Sequence, residues 1–134
     1  MTKPKISFLA FFLLWAELQG WKVPIFHIQV CIFLEEFYLN GRTGLLMLPR
    51  GHSKSSILDV FNAWVIYCWP STQILHQGTT DSDAYKCSKG TRDVLERHPL
   101  CTGNPNVAIR QGEIERWFVE GTPDVRYGTM LAKG

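Results

Sequence analysis

Long apolar runs separated by short polar breaks set the pattern of this chain. Residues 7–19 are apolar nearly all round and turn polar only at Glu17 and Gln19, which predicts a helix with Ser7 near its start. Gly20-Trp21-Lys22-Val23-Pro24 breaks it. Residues 25–38 predict a second helix. Its polar positions Gln29, Glu35 and Glu36 leave most of the surface apolar, so it is expected to pack deeply. Asn40-Gly41-Arg42-Thr43-Gly44 is a turn cluster. Residues 45–48, Leu-Leu-Met-Leu, form a short fully apolar run, as in the middle of a parallel sheet.

The next apolar stretch, residues 55–69, predicts a helix with Asp59 and Asn62 on one face and Ile57, Phe61, Trp64, Val65 and Cys68 buried. Trp69-Pro70-Ser71 stops it. Residues 73–77 read as a strand. Thr80 or Asp81 caps a helix running to about Arg97, with Ala84, Cys87, Val94 and Leu95 on one stripe, weakened by Gly90 and ended by Pro99. Residues 100–112, rich in Gly, Asn and Pro, read as loop or short helix. Arg116-Trp117-Phe118-Val119-Glu120 alternates like a strand, Thr122-Pro123-Asp124 is a turn, and residues 127–132 predict a final edge strand.

Strands alternating with helices predict an α/β fold. The expected architecture is a parallel sheet of the P-loop NTPase type flanked by helices, incomplete, and preceded by two N-terminal helices. Residues 1–43 would be the helical region and residues 44–134 the sheet domain, which the loop at 49–56 and the family resemblance given below imply is a partial P-loop ATPase domain. In such a sheet a ligand sits at the carboxyl end of the first strand, where Pro49-Arg50-Gly51-His52-Ser53-Lys54-Ser55-Ser56 falls.

The order strand, loop, lysine, hydroxyl, helix is how a nucleoside triphosphate is held. Backbone N–H groups at a helix N-terminus carry partial positive charge and attract phosphate oxygens. Lys54 would neutralise the β- and γ-phosphates, and the Ser55 hydroxyl would ligate Mg²⁺. The pattern G-x-x-x-x-G-K-[ST] is met imperfectly, because Leu48 and Ser53 stand where it has glycine. The competing reading is a strand-turn-helix in which Lys54 is a solvated cap residue. Against it, a cation beside the positive end of a helix is unfavourable without an anion nearby.

Leu46-Met47-Leu48-Pro49-Arg50-Gly51-His52 followed by Lys54-Ser55 resembles the variant Walker A loop of large terminase subunits, the DNA-packaging motors of tailed bacteriophages and related viruses. Trp21-Lys22-Val23-Pro24-Ile25-Phe26-His27 is similar to the segment that precedes that loop. Thr72–Thr80 with Ala84 is similar to the family's second strand and following helix, and Gly128–Gly134 to the stretch before its acidic strand. The likeness runs from about Leu14 to Gly134, with residues 49–56 its specific part; Ser53 departs from the family's glycine.

The resemblance implies an ATP-binding part of a terminase large subunit that, in its complete form, powers packaging of double-stranded DNA into procapsids. It implies ATP and Mg²⁺ as ligands, portal protein and small terminase subunit as partners, a ring when full-length, and the cytoplasm of an infected bacterium as location. Lys54 and Arg50 would carry the catalytic roles, Arg50 contacting the γ-phosphate. Pro49, Gly51, His52, Ser53 and Ser56 would complete the nucleotide contacts, and Ser55 would hold the metal through the nucleotide. His27 stands about where related ATPases place an adenine-contacting glutamine, with Gln29 as the competing candidate and an ordinary surface or core histidine as the other reading; Trp21 reads as a core residue or one near the base.

No apolar run here ends in the Asp-Glu pair that hydrolysis needs, and no acidic nuclease cluster follows. The expectation is therefore the N-terminal part of a longer packaging ATPase, inactive alone. Glu113 and Glu115 read as a solvated turn. A non-catalytic interaction module, or a remnant of a helicase or other P-loop NTPase, is the alternative.

Composition narrows this only a little. Hydrophobic content of 46% with 19% charged residues suits a packed domain and argues against disorder. A net charge of +2 provides no basic surface from which to argue DNA binding. The cysteines Cys31, Cys68, Cys87 and Cys101 form no C-x-x-C pair, so they read as small core residues rather than zinc ligands or a disulfide framework. Lys3 and Lys5 before the apolar run Ile6–Ala16 have the look of a secretory leader, but no A-x-A site follows and the run is too short to span a membrane.

Overall fold

The computed structural model describes residues 4–40, 54–70, 74–77, 81–112, 116–119 and 129–133. Four helices hold most of them: α1 (Phe8–Gln19), α2 (Ile25–Leu39), α3 (Lys54–Cys68) and α4 (Asp81–Arg97). Four short strands, β1 (Ile74–Gln77), β2 (Ile109–Gly112), β3 (Arg116–Val119) and β4 (Met130–Lys133), form one sheet in the order β1-β4-β3-β2.

Helix α1 starts where Ser7 turns its hydroxyl onto the Ala10 N–H at 3.2 Å. It stops at Gly20, whose φ of 72° is left-handed and lets the Trp21 N–H bond the Ala16 carbonyl at 2.9 Å. Phe8, Phe11, Phe12, Trp15 and Ala16 are buried, a stripe at helical spacing. Leu13 and Leu18 fall off the stripe and are exposed. In α2 only His27, Val30 and Cys31 are buried, and Ile25 is 74% exposed. The deep packing expected of α2 does not occur: its apolar side chains outnumber the partners available on one face.

Helix α3 is the centre of the molecule. Ile57, Val60, Ala63, Trp64, Val65, Ile66 and Cys68 are buried between α1 and α4. The Trp64 indole N–H donates to the Ile6 carbonyl at 2.9 Å, and its ring meets Phe8 and Trp69 at 5.6 and 5.5 Å. Helix α4 buries Ser88, Thr91, Val94 and Leu95, while the side chains of the ion pairs Arg92–Glu96 and Arg97–Asp93 are partly exposed. One hydrophobic cluster runs from Phe8 through α3 to Trp117, Val119 and Met130.

The parallel P-loop-type sheet expected from the sequence is corrected here. The described residues are chiefly helical, and their small sheet is mixed: β1 pairs with β4 in parallel, while β2–β3 and β3–β4 are antiparallel. Only three residues separate β2 from β3, which leaves room for a hairpin and not for a crossover. β4 lies inside the sheet, not at its edge, and β2 falls in the stretch expected to be loop. The expected first strand, residues 45–48, lies outside the described residues.

Candidate nucleotide site

Residues Pro49, Arg50, Gly51, His52 and Ser53 lie outside the described residues. Lys54, Ser55 and Ser56 are the first three residues of α3, one position earlier than the sequence pattern placed its start, and their side chains lie outside the described set. The backbone N–H groups of a helix's first turn have no acceptor within the helix itself. Glu113 and Glu115 also lie outside the described residues.

Beside this turn is a cavity of about 340 Å³ lined by Phe12, Gly20, Trp21, Lys22, Val23, His27 and Ile57. Three segments meet there. α1 contributes Phe12. The left-handed turn at Gly20 throws Trp21, Lys22 and Val23 across the end of α1. Pro24, extended at φ −63° and ψ 156°, starts α2 and sets His27 one turn in, its N–H on the Pro24 carbonyl at 3.0 Å. Ile57 closes the cavity from α3, three residues after Lys54, which is about 4.5 Å along the helix axis.

Most of the wall is aromatic or aliphatic, with an imidazole and an ammonium at its edge. That suits a flat apolar ring with a few polar atoms, and the size lies within the range of small-molecule sites. His27 is 8% exposed and packs against the Phe26 ring at 4.4 Å. Gln29, the competing candidate for a base contact, is exposed and does not line the cavity. Phe12, Val23 and Ile57 were not singled out as lining residues by the sequence; only their convergence in space identifies them.

A second, smaller cavity of about 180 Å³ also has Trp21 in its lining. It is lined by Trp15, Gln19, Trp21, Asp59, Val60, Gly90, Asp93 and Val94. Burial pushes the Asp59 carboxyl up to about 6, against a smaller opposing effect of the Cys87 thiol. The Gln19 side-chain nitrogen is buried with no hydrogen-bond partner. Burial also pushes the Cys31, Cys87 and Cys101 thiols up to about 12, so these behave as small apolar groups. All four cysteines are free thiols.

Among the described residues no group of three or more His, Cys, Asp or Glu is placed to hold a metal ion, and no helix is long and apolar enough to cross a membrane. Comparison with protein-family models, with curated proteins and with solved structures found no match.

Proposed function

We propose that this chain is the nucleotide-binding part of a terminase-type DNA-packaging ATPase, with the base in the Trp21–His27–Ile57 cavity and the phosphates at the start of α3. One observation carries the reading: a ring-sized apolar cavity borders the same helical turn that begins with Lys54. The sequence alone linked residues 21–27 and 49–56 only through a family likeness. Trp21, Lys22, Val23 and His27 line one cavity with Ile57, the residue after Ser56, which supports the reading.

In this reading Trp21, Phe12 and Val23 enclose the ring and exclude water from it, and His27 gives it a polar contact. Lys54 and the N–H groups of the first turn of α3 neutralise the phosphates. Lys22, on the cavity wall, adds a second cationic side chain. Arg50 contacts the γ-phosphate, and Pro49, Gly51, His52, Ser53 and Ser56 complete the cradle. Ser55 would hold Mg²⁺ through the nucleotide, and the ion would supply charge neutralisation at the phosphates. With no Asp-Glu pair to orient water, the chain is expected to bind Mg·ATP without turning it over. Double-stranded DNA, portal protein and small terminase subunit remain the proposed partners, in the cytoplasm of an infected bacterium.

Calorimetric titration with Mg·ATP tests this on the native chain, Lys54→Ala and Trp21→Ala. Trp21 is 42% exposed, so its replacement spares the core. Both variants are expected to weaken binding at least about tenfold, or 1.4 kcal/mol. Equal binding by all three chains would refute the assignment.

A second reading, a non-catalytic interaction module, is favoured by the exposed Ile25, Ile32 and Leu39 of α2. Capture of portal protein or small terminase subunit that ignores nucleotide and is lost in Ile25→Ser with Ile32→Ser would support it.

A further inference from the structure

The exposed residues of α2 fall on one stripe. Ile25, Gln29, Ile32, Glu36 and Leu39 are spaced four, three, four and three residues apart, the interval at which one helix faces another. Three of the five are aliphatic, and these three recur every seven residues. The other side of the helix is already taken: Val30 and Cys31 belong to the core, and Leu34 and Tyr38 pack against it. We propose that this stripe is the interface of a homodimer, in which α2 of one copy packs antiparallel on α2 of a second copy. The dimer does not depend on whether the larger cavity binds a nucleotide.

Charge selects both the occupant and its direction. The carboxylates of α2, Glu35 and Glu36, stand at its C-terminal end, and no basic residue lies in the last turn. Glu35 is engaged inside the molecule, where its Oε1 accepts from the Phe8 N–H. Glu36 is exposed, and so is Lys22, two residues before Pro24 at the other end of the helix. Among the described residues neither Lys22 nor Glu36 is in an ion pair. Each copy therefore carries one uncompensated charge of each sign, one at either end of α2.

A carboxylate near the negative end of its own helix is unfavourable when alone. An antiparallel neighbour answers it with the positive start of a helix and with Lys22. With a two-fold axis at Ile32, Ile32 meets itself, Ile25 meets Leu39 of the second copy, and the Lys22 end of each helix lies over the Glu36 end of the other. The interface is thus self-complementary, as a two-fold dimer requires. A parallel pair would set Glu36 on Glu36 and align the two helix dipoles. The helix has 15 residues and is about 22 Å long. One helix pair of this length falls at the small end of specific interfaces, so the dissociation constant is expected on the order of 10 µM.

Sedimentation equilibrium of the full 134-residue chain between about 1 and 500 µM spans that value. The buffer is free of nucleotide, because Lys22 also lines the larger cavity. The native chain is expected to pass from monomer to dimer. Ile32 is 52% exposed, so Ile32→Glu spares the core, which circular dichroism checks, and it should weaken the dimer at least about tenfold. Lys22→Glu and Glu36→Lys should each weaken it about threefold, and the two together should restore it. A native chain that stays monomeric at every concentration would overturn the proposal and leave α2 to a different partner. A dimer unchanged by Ile32→Glu would place the interface elsewhere and overturn it too. A dimer that the paired charge reversal fails to restore would refute the antiparallel arrangement.

Discussion

Gly90→Ala separates two opposing effects, and the structure fixes which wins. In a helix interior, alanine is favoured over glycine by about 1 kcal/mol. At Gly90 the added methyl would stand 2.1 Å from Asp59 Oδ2, 2.7 Å from Cγ and 3.3 Å from Cβ. Rotating the carboxylate relieves the oxygen contact but not the one at Cβ, and α3 and α4 are packed together through this point. Overpacking of this kind costs about 1–3 kcal/mol. The net expectation is destabilisation by about 0–2 kcal/mol. In an Asp59→Ala background the two nearest atoms are gone, and the same substitution should be neutral or stabilising by up to about 1 kcal/mol. The coupling between the two sites is thus about 1–3 kcal/mol. Denaturant unfolding of the four proteins of this cycle, monitored by circular dichroism, measures it. Stabilisation by Gly90→Ala in both backgrounds would refute the seating of α4 on Asp59.

Two further expectations concern buried polar groups. His98 is fully buried and stacked on Phe11 at 3.8 Å, with Nδ1 accepting from the Leu100 N–H at 3.0 Å and Nε2 donating to the Phe11 carbonyl at 2.9 Å. Both ring nitrogens are thus satisfied in the neutral form, and burial lowers its pKa below 6.5 despite the Phe11 carbonyl. The unfolded chain takes up a proton that the folded one resists, so stability is intact above pH 6.5 and falls as pH drops below it. His98→Phe should lose that acid-side decline in unfolding curves at pH 7.5 and 5.5; an unchanged decline would refute the role of His98. Ser88→Ala removes the acceptor of the Trp117 indole N–H, a 2.8 Å bond between fully buried residues, and should cost about 1–3 kcal/mol in chemical denaturation.

Local features of this fold are legible in the sequence, and features that depend on distant partners are not. Helical spacing with the breakers Gly20, Pro24, Pro70 and Pro99 places all four helices to within a residue or two. Alternation places β3, and β1 falls within the strand expected over residues 73–77. Strand direction is another matter. Four residues of strand carry no mark of whether a neighbour is parallel, and that choice is made by the short β2–β3 connection and by β4 inserting between β1 and β3. Composition likewise made α2 look buried, because apolar content says nothing about how many faces find a partner.

The candidate site shows the same division. Lys54 at a helix start could be read from the order of residue types. That Trp21, His27 and Ile57 share a cavity could not, since they come from three segments joined only by packing. Asp59 looked like an ordinary polar position. Its environment depends on Gly90, thirty-one residues away, lacking a side chain.

The central claim is that base and phosphates bind across the junction of the Trp21–His27 segment and the start of α3. Amide ¹⁵N–¹H spectra recorded during titration with Mg·ATP test it most directly. The account predicts saturable shifts that share one dissociation constant at Trp21, His27 and Lys54 through Ile57. Absence of shifts, or shifts confined to other parts of the molecule, would contradict it.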